Sequence, residues 1–157
     1  KCIVFHTGPL PIGRGGSPIQ NLILRGYTKA PVCALRMTTN LDSGPIYLRK
    51  NISLKGNLEN IFKRINKKVN EFILKILNDK IIPQQQKGRP VIFKRLNLDD
   101  NHIQSNLTLQ KIYDQIRMVD HKEYSKAFIK YENLKIEFFS SSFKKDHIIA
   151  KCTIKKC

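Results

Sequence analysis

Apolar and polar positions alternate with two periods along this chain, and the changes of period mark its elements. Cys2-Ile3-Val4-Phe5 is an unbroken apolar run and predicts a short buried strand. A Gly- and Pro-rich loop follows, from His6 to Gly16. Ser17, Pro18 and Gln20 have the spacing of a helix start with a capping box, so a short helix is expected over Ile19–Arg25, ended by Gly26. Pro31–Thr38 predicts a second strand and Asn40–Pro45 a turn. Strand, helix and strand with short connections suggest a βαβ unit and a parallel sheet.

Ile46–Ile52 reads as a strand or extended segment. Leu58, Ile61, Phe62, Ile65, Val69, Phe72, Ile73 and Ile76 then recur at helical spacing behind an Asn57 cap. The other face of that helix carries Lys63, Arg64, Lys67, Lys68 and Lys75, a stripe expected to be solvated. Ile81–Phe93 reads as an exit loop through Pro83 and Pro90. Thr108 heads a further helix with Leu109, Ile112, Tyr113 and Ile116. Ala127–Tyr131 and Leu134–Phe139 flank Glu132-Asn133 as a hairpin, and His147–Ile154 alternates like a strand.

Composition narrows the function classes. At 157 residues the chain is domain-sized, and with 41% hydrophobic and 26% charged residues wholesale disorder is not expected. No apolar run approaches the roughly 20 residues of a membrane span, so a cytoplasmic protein without membrane insertion is expected. The net charge of +17 favours polyanionic or phosphorylated partners, although the lysines are scattered and a solvated surface accounts for them as well. Cys2, Cys33, Cys152 and Cys157 form no C-x-x-C pair, and the four histidines lack ligand spacing. No metal site is expected, and the thiols are read as reduced.

The glycines at 8, 13, 15 and 16 fit neither of the common phosphate-binding loop patterns. What marks the segment is His6 at the end of a strand, with Asp42 in a second turn expected at the same sheet edge. A carboxylate beside an imidazole orients it and stabilises its charged form, which suits general acid–base chemistry.

These residues carry a resemblance. F-H-T-G-P-L-P-I-G-R-G-G-S-P-I-Q-N-L-I, then A-L-R-M-T-T-N-L-D-S-G-P-I-Y, is similar to the folate-dependent formyltransferases, as are P-V-I-F-K-R and I-R-M-V-D with Y-S-K-A-F further on. That family acts on methionyl-tRNA or on nucleotide-linked amino sugars. The similarity implies an α/β fold: residues 1–95 as the later half of a Rossmann-like catalytic core with a parallel sheet, and residues 96–157 as a linker helix with a small β-rich part. It also implies that the chain continues a longer one upstream of Lys1.

The resemblance assigns His6 and Asp42 as catalytic, with 10-formyltetrahydrofolate as formyl donor and no metal. Gly8, Pro9, Leu10 and Pro11, with Thr38, Thr39, Asn40 and Leu41, correspond to the family's folate-contacting stretches, and Arg14 and Gly16 to its substrate-side segment. Where the family usually carries an oxyanion-binding Asn, this chain has Val4, and losing such a donor typically costs about 10²–10³ in rate. The expected function is formyl transfer to a primary amine. A nucleotide-linked amino sugar is the first acceptor, because the stretch after Asp120 is short for a closed barrel, and initiator tRNA is the second. A homodimer is also compatible. The competing reading is a basic RNA- or polyanion-binding module that keeps the fold without the chemistry.

Overall fold

The computed structural model describes residues 2–157. It divides into two compact units, one formed by the chain up to Lys55 with Ile61–Arg95, the other by Gly56–Asn60 with Leu96–Cys157.

The first unit contains β1 (Ile3–His6), β2 (Ile12–Gly15), α1 (Pro18–Leu24), β3 (Lys29–Arg36), β4 (Ile46–Ser53), most of α2 (Leu58–Asn78) and β5 (Val91–Phe93). Its main sheet has the order β1-β3-β4. The central strand β3 is buried from Ala30 to Leu35, which explains why its sequence is apolar without alternation.

This sheet corrects the expected parallel βαβ arrangement: β1 pairs antiparallel with β3, His6 opposite Cys33 and Ile3 opposite Arg36. A parallel return would have to carry the chain back along the length of β1. The seven residues of α1 rise only about 10 Å in total. The residues before α1 are diverted into β2, which leaves this sheet and pairs in parallel with β5. The chain therefore re-enters beside the end it left. Part of the expected exit loop, Val91–Phe93, is recruited as that parallel partner.

The start of α1 also differs from expectation. Ser17 stands in the left-handed region (φ 46°, ψ 48°) and its side chain makes no capping hydrogen bond. A capping box needs an extended residue there. The Asn21 side chain instead donates to the carbonyls of Ser17 and Lys94 at 3.1 and 2.9 Å, which ties the helix start to the segment after β5 without capping a helix N–H. At the other end the N–H groups of Gly26 and Tyr27 bond back to Ile23 and Leu22, a Schellman closure that needs the positive φ of Gly26. Ile19, Leu22 and Ile23 face the core, and Leu10, Cys33 and Leu35 form a buried cluster on which Val4 and Ile46 pack.

The second unit holds a short 3₁₀ turn (Asp99–Asn101), α3 (Leu109–Arg117), β6 (Ala127–Tyr131), β7 (Leu134–Phe143) and β8 (Ile148–Lys156). Thr108 caps α3 by accepting from the Lys111 N–H, and α3 packs on the antiparallel sheet β6-β7-β8. Asn57 caps α2, its side-chain oxygen accepting from the Asn60 N–H at 3.0 Å. The buried Asp120 carboxylate accepts from the Ser140 N–H at 3.0 Å and from Asn57 at 3.3 Å, and it pairs with Lys126. Among the described residues, no helix is long and apolar enough to cross a membrane and no metal-ligating cluster occurs.

Candidate active site

His6 ends β1 and is 93% buried, its ring held between two acceptors. Its Nε2 lies 2.8 Å from the carbonyl oxygen of Gly13, which can only accept, so Nε2 carries a proton in this arrangement. On the other side Nδ1 is 3.4 Å from Oδ2 of Asp42. The same Oδ2 accepts the Gly15 N–H at 2.9 Å, so the loop after β1 and the turn after β3 are joined at this carboxylate. Asp42 itself has φ 50°, a left-handed conformation that Asp tolerates better than most residues. The turn is tied within itself by Thr38 Oγ1, Ser43 Oγ and the Asn40 carbonyl.

Placement of the other sequence-derived candidates is uneven. Gly8 lies against the His6 ring, and its carbonyl accepts the Leu10 N–H at 2.8 Å and the Cys33 thiol at 3.6 Å. Pro9 is half-buried and Pro11 buried. The Leu10 side chain is 98% buried in the core cluster and supports the loop from behind. The Arg49 guanidinium bonds the Leu10 carbonyl, and burial pushes the Cys33 thiol up against the opposing pull of Arg49.

Thr38, Thr39, Asn40 and Leu41 are exposed and, with Val4, Asp42 and Gly44, line a cavity of about 190 Å³. Pockets that enclose drug-sized ligands run to roughly 300–1,000 Å³, so this cavity has room for only part of such a ligand. Gly16 is closely packed. A Cβ there would lie 2.5 Å from Cα of Arg95, and the Gly16 N–H bonds the Phe93 carbonyl, so this glycine serves close strand packing.

Arg14 meets a residue the sequence reading passed over. Its Nε and Nη2 donate to Oε1 of Gln86 at 3.2 and 2.7 Å, while Gln86 Nε2 donates to the carbonyls of Asp42 and Gly44. Gln86 closes the run Gln84–Gln86 in a loop without periodicity, so no local pattern singled it out.

Residues 98–155 match the family model described as the methionyl-tRNA formyltransferase C-terminal domain. The solved methionyl-tRNA formyltransferase from Clostridium thermocellum superposes with a TM-score of 0.96 at 40% identity, over 99% of this chain and 69% of that one. The chain belongs to the folate-dependent formyltransferase family. The methionyl-tRNA formyltransferase of Wolbachia pipientis (strain wPip) is 30% identical over 146 residues, 90% of this chain and 47% of the relative. The chain thus spans about half the length of the curated relatives it matches. The sugar 3N-formyltransferase WlaRD, solved with dTDP and 5-N-formyl-THF, shares the fold at a TM-score of 0.67 and 20% identity, over 96% of this chain and 64% of that one.

Proposed function

We propose that the chain carries the catalytic His–Asp pair of an enzyme that transfers a formyl group from 10-formyltetrahydrofolate to the amino group of methionyl initiator tRNA. The observation that carries this reading is the buried His6–Asp42 pair, set beside the cavity formed by Val4 and the turn 38–44, in a chain 40% identical to a methionyl-tRNA formyltransferase. The same comparisons support tRNA ahead of the amino sugar expected from the short C-terminal stretch, because the sugar enzymes are the more distant neighbours.

In this reaction the acceptor amine attacks the formyl carbon, a tetrahedral intermediate forms, and its collapse expels the folate nitrogen. One N–H bond of the amine is replaced by N–C, and the displaced proton ends on the leaving nitrogen. His6 Nε2 would give the proton it carries to the leaving nitrogen and take up the amine proton in its place, exchanging the Gly13 carbonyl for the reacting groups. Asp42 holds the ring from Nδ1 and is itself held by the Gly15 N–H. Thr38–Leu41 would flank the ring end of the donor, with Arg14 towards the acceptor.

The test supplies the full-length protein with 10-formyltetrahydrofolate and, separately, methionyl initiator tRNA and dTDP- or UDP-linked amino sugars. Formyl-methionyl-tRNA should form, and the His6→Ala variant should lose at least 10²-fold in rate. Turnover of an amino sugar without tRNA formylation would move the acceptor assignment. Salt-sensitive RNA binding with no transfer to either acceptor would overturn the enzymatic reading.

A further inference from the structure

We infer that Gln86 is a positioning residue that sets the Asp42 carboxylate against His6; the inference rests on the acid–base reading of that pair. The primary amide of Gln86 is used at every valence. Its two N–H bonds go to the carbonyls of Asp42 (2.7 Å) and Gly44 (2.9 Å), and its oxygen takes two from the Arg14 guanidinium. Arg14 is covalently joined to Gly15, whose N–H holds Asp42 Oδ2. A closed circuit results: Gly15 to the Asp42 carboxylate, the Asp42 carbonyl to Gln86, Gln86 to Arg14, and Arg14 back to Gly15.

The circuit answers a specific need. Asp42 sits at φ 50°, a conformation that Asp tolerates but that still costs some backbone strain and gains from being held. The internal bonds of Thr38, Asn40 and Ser43 hold one side of the turn, while Gln86 holds the carbonyls on the other. Gln86 arrives on a loop pinned independently by the paired bonds between Ile46 and Gln84, so its amide is a fixed reference for the turn. Released, the turn is free to carry the carboxylate away from Nδ1, and misplacement of a catalytic group by about 1 Å can cost 10²-fold in rate.

Three variants separate the halves of the circuit. Gln86→Leu removes both. Gln86→Glu keeps acceptors for Arg14 but sets a carboxylate against two carbonyls, so only the Asp42 half breaks. Asp42→Asn supplies the background for a double-mutant cycle. We expect kcat for formyl transfer to fall 10- to 100-fold in Gln86→Glu and Gln86→Leu, with KM for the formyl donor changed less than about threefold. In the Asp42→Asn background Gln86→Leu should have little further effect, because both act through the same contact. The same loss in both backgrounds would mark a general structural role and overturn the inference, as would wild-type kcat in Gln86→Glu. A readout independent of activity is hydrogen exchange of the Gly15 amide and the His6 ring resonances. Both should change in Gln86→Glu, and unchanged spectra would overturn the inference even if the wild-type protein transfers no formyl group. Inactive wild-type protein with the expected spectral changes would instead count against the formyl-transfer reading alone. Should Gln86→Leu fail to fold, Gln86→Glu carries the same comparison.

Discussion

A methyl group on Gly8 would lie 2.8 Å from Nε2 of His6 and 2.9 Å from the carbonyl oxygen of Gly13, the two atoms that are hydrogen-bonded to each other. Real Cβ atoms do not come so close to either. Gly8 is therefore the backbone ledge against which the His6 ring rests, and Gly8→Ala must push the ring or the Gly13 strand aside. Formyl transfer should fall about 10²-fold, with a stability loss of about 1–3 kcal/mol. Rate assays beside urea unfolding check both, and full activity would show that the ring position is not critical.

The resemblance puts Val4 where the family usually carries an oxyanion donor; in the structure it lines the cavity shared with Asp42 and packs on Leu10, Cys33 and Leu35. Val4→Asn should raise kcat by an order of magnitude or more, at a stability cost of about 1–3 kcal/mol for setting an amide against the apolar cluster. An unchanged rate would show that the missing side-chain donor does not limit turnover.

Cys33 should be chemically silent in the native protein. It is fully buried in β3 and burial pushes its thiol up, so the reactive thiolate is scarce, whereas Cys2, Cys152 and Cys157 are exposed. A disulfide exchange reagent at pH 8 should label three thiols quickly and the fourth only on unfolding. Four equal rates would contradict the packing of β3.

Glu137 on β7 makes stability pH-dependent. Hydrogen bonds from Lys135 and then Lys155 hold its carboxyl below the ordinary 4.5. A lowered folded-state value stabilises the fold above the ordinary range, and this contribution disappears as pH falls through the folded value. Urea midpoints of the wild type and Glu137→Gln should differ at pH 7 and converge in acid. A gap that persists into acid would assign the effect to packing.

Local elements were legible because local rules make them. The α2 periodicity and its Asn57 cap, the Thr108 cap of α3 and the Glu132-Asn133 hairpin all depend on residues within a few positions of each other. The Ser17 capping box failed because Ser17 takes a left-handed conformation, beside an Asn21 side chain that bonds the Lys94 carbonyl more than 70 residues away in sequence. The expected parallel pairing of β1 with β3 failed because the chain leaves that sheet as β2, whose parallel partner β5 lies more than 70 residues further on.

The sequence by itself determined the alternation of strands and helices, the apolar run of β3 and the family resemblance that singled out His6 and Asp42. Tertiary structure alone decided that β1 and β3 run antiparallel, that Leu10 turns into the core and that Gly16 is needed for the approach of Arg95. It alone decided, too, that Gln86 closes a circuit with Arg14 and Asp42. The division has one physical cause. Periodicity and caps are written in short-range sterics and hydrogen bonds, whereas a glutamine amide in an aperiodic loop acquires its partners only when distant backbone carbonyls are folded to within 3 Å of it.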